Sequence, residues 1–106
     1  MINSLIVNAL KPLNVPVSSE KYSGTATTYI TFFLYNRQGE AWADNAEINT
    51  GHYLQVDVWS SANCEALADQ VETLIQAAGF ARTFRRGAYE LDTFIYHETI
   101  RFSYFN

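Results

Sequence analysis

The feature that most constrains the fold is the stretch from Tyr29 to Phe80, which reads YITFFLYNRQGEAWADNAEINTGHYLQVDVWSSANCEALADQVETLIQAAGF. It opens with an aromatic and β-branched run typical of a strand, passes through a polar segment, resumes as an alternating strand and ends in an amphipathic helix. Successive strand residues point to opposite faces of a sheet. The stretch therefore predicts a sheet with helix on one face and aromatic side chains on the other.

The flanking segments complete an α+β pattern. Apolar residues recur at helical spacing before Pro12, which predicts a short first helix, and the connection after it allows an edge strand at residues 15–17. Strands are expected at residues 28–36, 52–59, 80–86 and 96–105, with a turn at Gly87. We expect one domain, residues 1–106, in which an antiparallel or mixed sheet of about four strands carries two helices on one face.

The main helix has the clearest boundary signals. Ser61 is the expected N-cap, Gly79 the expected left-handed residue at the end, and Cys64 lies on the apolar stripe between them. A lone cysteine cannot form an internal disulfide, so this thiol is interpreted as core packing in a chain suited to a reducing compartment. Residues 37–49 are interpreted as a long loop between two strands.

Charge disfavours several partners. The formal net charge is −4, and the arginines Arg82, Arg85 and Arg86 form the one close basic cluster. Phosphate binding needs more clustered positive charge, so we expect no nucleic-acid partner and interpret the three arginines as a solvated sheet edge. No apolar run is long enough to suggest a membrane span, so no membrane partner is expected.

The sequence pattern gives little support for a catalytic or metal-binding site. His52 and His97 lie on different strands and are assigned surface or cross-strand roles, and the loop carboxylates Glu40, Asp44 and Glu47 lack calcium-loop spacing. Glu90 and Asp92 are read as turn residues that do not meet His97 in space. We therefore expect no catalytic, cofactor-binding or metal-binding residues, no cofactor and no enzymatic activity.

The sequence feature that indicates a function is the sheet face opposite the helices. If the alternation is correct, aromatic side chains project there, and a contiguous exposed patch of that size would exceed what soluble monomers usually show. Either the N-terminal connection or the 37–49 loop covers this face, or subunit contacts do. The candidate interface residues are Tyr29, Phe33, Tyr35, Trp42, Tyr53, Trp59 and Phe105.

The run 21–104 resembles the tail-terminator or tail-completion proteins of bacteriophages and prophages with long non-contractile tails. The resemblance rests on KYSGTATTYITFFLYN, TGHYLQVDVWS, ALADQVETLIQAAGF and YELDTFIYHETIRFSYF. It implies a structural virion subunit that forms a ring, with six copies as the implied number, at the head-proximal end of the tail tube. The implied partners are further copies of the chain, the tail tube protein and the head-connector proteins of the neck.

The same resemblance implies a location in the tail or neck of the virion, and in the cytoplasm of the bacterial host during assembly. Two alternatives stay open. A head-closure or adaptor protein of the neck would have similar size and pattern, and a small non-catalytic ligand-binding module would show a closed pocket with convergent polar groups.

Overall fold

A helical layer packs on one face of a five-stranded mixed sheet, which confirms the α+β class. The computed structural model describes the backbone of residues 2–43 and 46–105, and the side chains of residues 3–35 and 51–104. Its elements are α1 Ile2–Leu10, a 3₁₀ turn Lys11–Leu13, β1 Val17–Ser19, β2 Thr28–Ala43, β3 Ala46–Ser60, α2 Glu65–Ala77, β4 Ala81–Glu90 and β5 Ile95–Phe105.

The strand order is β1-β2-β3-β5-β4. β1 pairs with β2 in parallel over three residues, and every other pairing is antiparallel. The expectation of about four strands was one short, because the segment anticipated at residues 15–17 forms the edge strand β1 slightly later in the chain. The two edge strands differ in length, since β1 has three residues and β4 has ten.

The core lies between the helices and the inner face of the sheet. α1 contributes Ile6 and Leu10, while α2 contributes Val71 and Ile75, all fully buried. Their partners on the strands are Ile30, Phe32, Leu54, Val56, Val58, Ile100 and Phe102. These strand residues follow the period of two that the sequence showed, so the inner face was predicted correctly. Burial of each such side chain contributes roughly 1.5–3 kcal/mol.

The segment predicted as a long loop is instead the outer half of a β-hairpin. β2 continues to Ala43, β3 begins at Ala46, and these two residues pair with each other. Of the carboxylates assigned to the loop, Glu40 and Glu47 therefore lie on strands, and Asp44 lies outside the described residues. Register shifts interrupt the ladder at three places between Tyr35 and Trp42. Bulges of this kind break the alternation of side chains, which removed the signal for a strand.

The start of α2 also differs from the prediction. The helix begins at Glu65 with Cys64 in the N-cap position, and the Oδ1 of Asn63 accepts a hydrogen bond from the Glu65 amide at 2.9 Å. Ser61 is therefore not the cap. The end of the helix was predicted correctly, because Gly79 has φ of +107° and follows the last turn.

Gly87 lies within β4, so the predicted turn at this residue was wrong. The chain reverses between Glu90 and Ile95, where Phe94 adopts φ of +57°. At Gly87 a Cβ atom would collide with the carboxylate of Glu98 on the neighbouring strand β5. The glycine therefore leaves room for the Glu98 side chain beside β4, a role that a single sequence does not distinguish from a turn.

Candidate functional site

The outer face of the sheet is built from rows of side chains that run across the strands. One row pairs Tyr29 with Trp59 and Trp59 with His97. Tyr22, from the connection after β1, extends this row by stacking on Tyr29 with ring centroids 4.4 Å apart. Trp59 and His97 stack at 3.7 Å with an interplanar angle of 11°. A continuous aromatic row therefore crosses the sheet at this level.

A polar cluster occupies the next row. Asp57 Oδ1 lies 2.8 Å from His97 Nε2 and accepts a hydrogen bond from the Thr99 hydroxyl at 2.9 Å, while the Gln55 amide donates to both carboxylate oxygens. Although burial acts to raise the pKa of Asp57, hydrogen bonds from His97, Gln55 and Thr99 hold it below its ordinary value. The carboxylate is thus ionised and fully engaged within the face.

The rows at the other end mix aromatic and cationic groups. Tyr35 and Tyr53 have ring centroids 6.1 Å apart, and the Arg101 guanidinium lies 5.7 Å from the Tyr35 ring and 5.4 Å from the Phe84 ring. Arg101 also donates from Nε to Gln55 Oε1 at 3.1 Å. Contacts of this type are stabilised by the ring quadrupole.

The predicted interface residues do share one face where the structure describes them. Tyr29, Phe33, Tyr35, Tyr53 and Trp59 are half-buried by one another and by neighbouring polar groups. The N-terminal connection contributes cover through Tyr22, as one of the two sequence interpretations proposed. For Trp42 and Phe105 the backbone pairs with Glu47 and Gly51, and the side chains lie outside the described residues.

The expectation that Glu90, Asp92 and His97 stay apart was wrong for two of them. His97 Nδ1 lies 3.4 Å from Glu90 Oε2, because β4 and β5 form a hairpin that brings Glu90 close to the outer face near His97. Asp92 lies in the exposed turn. His97 thus lies between the carboxylates of Asp57 and Glu90, which confirms its cross-strand role. His52 is buried and packs against Tyr104, its pairing partner on β5, so the surface alternative is wrong for this residue and the cross-strand alternative is confirmed.

The arginine cluster divides between two environments. Arg82 and Arg86 are exposed, as expected for a solvated edge, but Arg85 turns inward between α2 and the sheet. Its guanidinium lies within 3.2 Å of carboxylate oxygens of Asp69, Glu72 and Glu98. Although burial acts to lower the pKa of Arg85, these hydrogen bonds raise it above its ordinary value. Arg85 therefore ties the helix to the strands.

The edge strand β4 and its turn carry exposed apolar side chains, on both faces of the strand, that sequence reasoning missed. Among the side chains that the structure describes, the exposed large hydrophobic ones are Phe84, Tyr89, Leu91 and Phe94, with exposed fractions of 44%, 43%, 74% and 68%. We name these four residues the edge patch. Leu91 and Phe94 within an otherwise polar turn were the available signal, since bulky apolar residues are uncommon in exposed turns.

Over residues 2–43 and 46–105, no helix is long and apolar enough to cross a membrane. The described side chains include no group of three or more potential metal ligands. An open groove of about 720 Å³ runs between α2 and β4, with Asp69, Arg82, Arg85 and Glu98 among its lining residues. Most of these charged groups are paired with one another.

Solved structures include chains of similar fold. The fold is similar to that of a chain in the structure titled "Virion of native gene transfer agent (GTA) particle". The TM-score is 0.60 at 14% sequence identity, over 90% of this chain and 81% of that chain. A scan of protein families found no match, and a search of curated proteins found none. At this identity the likeness establishes a shared fold.

Proposed function

We propose that the chain is a structural component of a phage-like virion, in which it acts as a tail-terminator or tail-completion subunit and not as an enzyme. The observation that carries the proposal is the fold likeness to a chain of a gene transfer agent virion, which extends over 90% of this chain. The sequence resemblance to tail-terminator proteins supports the same role. In this role copies of the chain form a ring, with six as the implied number, at the head-proximal end of the tail tube.

The charged groups of the chain support a structural role. Arg85 joins Asp69, Glu72 and Glu98, and Asp57 accepts hydrogen bonds from its neighbours on the outer face. Groups engaged in this way fix the relative positions of the helix and strands. A ring subunit also needs two different contact surfaces, one for each neighbour, because head-to-tail contacts close into cycles.

The shape of the molecule offers contact surfaces of that kind. The principal extents are 52 × 26 × 24 Å, and the outer half of the β2–β3 hairpin and the strand β4 belong to opposite sides of the sheet. The edge patch adds exposed apolar area along β4 and in the turn that follows it. Apolar surface of this type is typical of protein contacts.

A head-closure or adaptor protein of the neck is the alternative. The fold likeness is to a chain of a whole virion particle, so it supports either assignment. Electron microscopy of particles produced without this chain separates the two. Tails of uncontrolled length support termination, whereas tails of normal length beside heads that lack them support an adaptor. Normal, complete particles would contradict both assignments.

The outer face is tested by substitution. Phe33→Ala and Trp42→Ala should weaken self-association more than they weaken folding, since these residues belong to the predicted interface. Sedimentation velocity measures the association and urea unfolding measures the stability. Unchanged sedimentation in both variants would remove these positions from the interface.

A further inference from the structure

The outer half of the β2–β3 hairpin, residues 36–43 and 46–50, has no neighbouring strand among the described residues. β1 pairs with β2 only at Ile30, Thr31 and Phe32, and β5 reaches only to Gly51 of β3. We name this two-stranded segment the arm. Strand pairs of this kind are marginally stable alone in water, and their backbone edges present unpaired amide and carbonyl groups.

The second open edge belongs to β4. This strand of 10 residues pairs with β5 on one side and is the last strand of the sheet on the other. Natural sheets protect such edges with charge, bulges or short length. Arg82, Arg86 and the register shift between Arg82 and Phe84 fit that explanation. The exposed apolar residues of the edge patch do not, because they favour contact with another protein.

The two open edges are complementary in length and charge. Along β2 the arm covers residues 36–43, so it extends for about 26 Å at the rise of a strand, and β4 extends for about 33 Å. Residues 36–50 contain three carboxylates against one arginine, whereas β4 contains three arginines against one carboxylate; of these arginines, Arg82 and Arg85 already pair with carboxylates of the same chain. Arg86 is exposed and forms no ion pair with the described residues, so it is available to an acidic partner.

We infer that the arm of one copy of this chain adds to the open edge of β4 in the next copy, so that neighbouring sheets become continuous. The occupant of the β4 edge is therefore a second copy, and this inference rests on the ring proposed above. Backbone hydrogen bonds give such a contact its affinity, and complementary charges select which edge of one copy meets which edge of the next. Because the donor and acceptor edges differ, the contact is head-to-tail and propagates around a ring.

Engineered disulfides test the contact directly. In a Cys64→Ser background, Ala88→Cys on β4 is combined in turn with single cysteines at residues 37–43 of the arm. Two strands separate β2 from β4 within one molecule, so their backbones are about 14 Å apart. A disulfide needs Cα atoms within about 7 Å, so any link between these positions joins two molecules. Gln76→Cys, on an exposed site of α2, replaces the arm cysteine in the matched control.

We expect a ladder of covalent dimers and larger species for alternate arm positions, because side chains alternate along a strand. The Gln76 control should remain monomeric. No links across the whole scan, or links of equal yield to Gln76, would overturn the inference. The ring proposal has a separate readout in particles made without this chain. If particles without this chain have tails of uncontrolled length but the scan gives no disulfide links, the ring proposal would stand and its subunit contact would lie elsewhere.

Charge reversal provides an independent test. Arg86→Glu should weaken self-association about fivefold, the upper range for a surface ion pair, and Glu40→Arg in the same chain should restore it. Lys21→Glu makes the same charge change at an exposed site in the N-terminal connection and should have no effect. Equal weakening by Arg86→Glu and Lys21→Glu, or no rescue by Glu40→Arg, would contradict a contact between the arm and β4.

Discussion

Arg85 provides the sharpest test of how the helix is held to the sheet. Its guanidinium lies 2.7 Å from Asp69, 3.1 Å from Glu72 and 3.2 Å from Glu98. Asp69 is 64% exposed, so its pair contributes little in water. Glu98 is only 14% exposed, and Arg85→Met would leave its carboxylate without a cationic partner while preserving much of the aliphatic packing.

The loss of stability in Arg85→Met follows from the positions of these carboxylates. Glu72 retains Arg82 at 3.6 Å, so most of the loss falls on Glu98. An ionised, largely buried acceptor that loses its donor costs about 1–3 kcal/mol, and we expect Arg85→Met to lower the free energy of unfolding by about 2 kcal/mol. For a domain of this size that corresponds to a fall in Tm of about 10 °C.

Urea unfolding followed by circular dichroism measures this change. Arg86→Met is the matched control, since Arg86 is exposed and adjacent in sequence, and it should stay within about 0.5 kcal/mol of the natural chain. Glu98→Gln added to Arg85→Met should restore part of the loss because it removes the unpaired charge. If Arg85→Met is no more destabilising than Arg86→Met, the reasoning about this cluster fails.

Three other predictions concern single residues of the face and core. The pKa of Asp57 is lowered in the folded chain. The Asp57 carboxylate therefore contributes its full share to the free energy of unfolding above the ordinary pKa of 3.8, and this share is lost as the pH falls through the lower pKa of the folded chain. The free energy of unfolding of Asp57→Asn should therefore be about 1 kcal/mol lower at neutral pH and should approach that of the natural chain in strong acid. A difference in the urea-derived free energies of unfolding that stays constant across acidic pH would contradict this. Burial raises the pKa of the Cys64 thiol, so alkylation should be slow in the native chain and fast in urea, and equal rates would show that the thiol is accessible. Gly79→Ala should cost about 1 kcal/mol, because φ is +107° and the new Cβ would lie 3.1 Å from the Tyr104 ring; an unchanged urea midpoint would contradict this.

The sequence by itself determined the layers of this protein. Alternation along β3 and β5 identified Leu54, Val56, Ile100 and Phe102 as the inner face, and the apolar stripe of α2 identified the helix that covers it. These signals are local, because the period of side chains along one strand or helix reports which face is buried. The α+β class and the end of α2 at Gly79 followed from the same local information.

Pairing between distant segments was decided only by tertiary structure. Bulges between Tyr35 and Trp42 interrupted the period, so the arm was mistaken for a loop. The meeting of Asp57, His97 and Glu90 depends on the order of three strands, and the inward turn of Arg85 depends on carboxylates contributed by α2 and β5. A single sequence does not encode such neighbours in its local pattern, because they are selected by the energy of the whole packed chain.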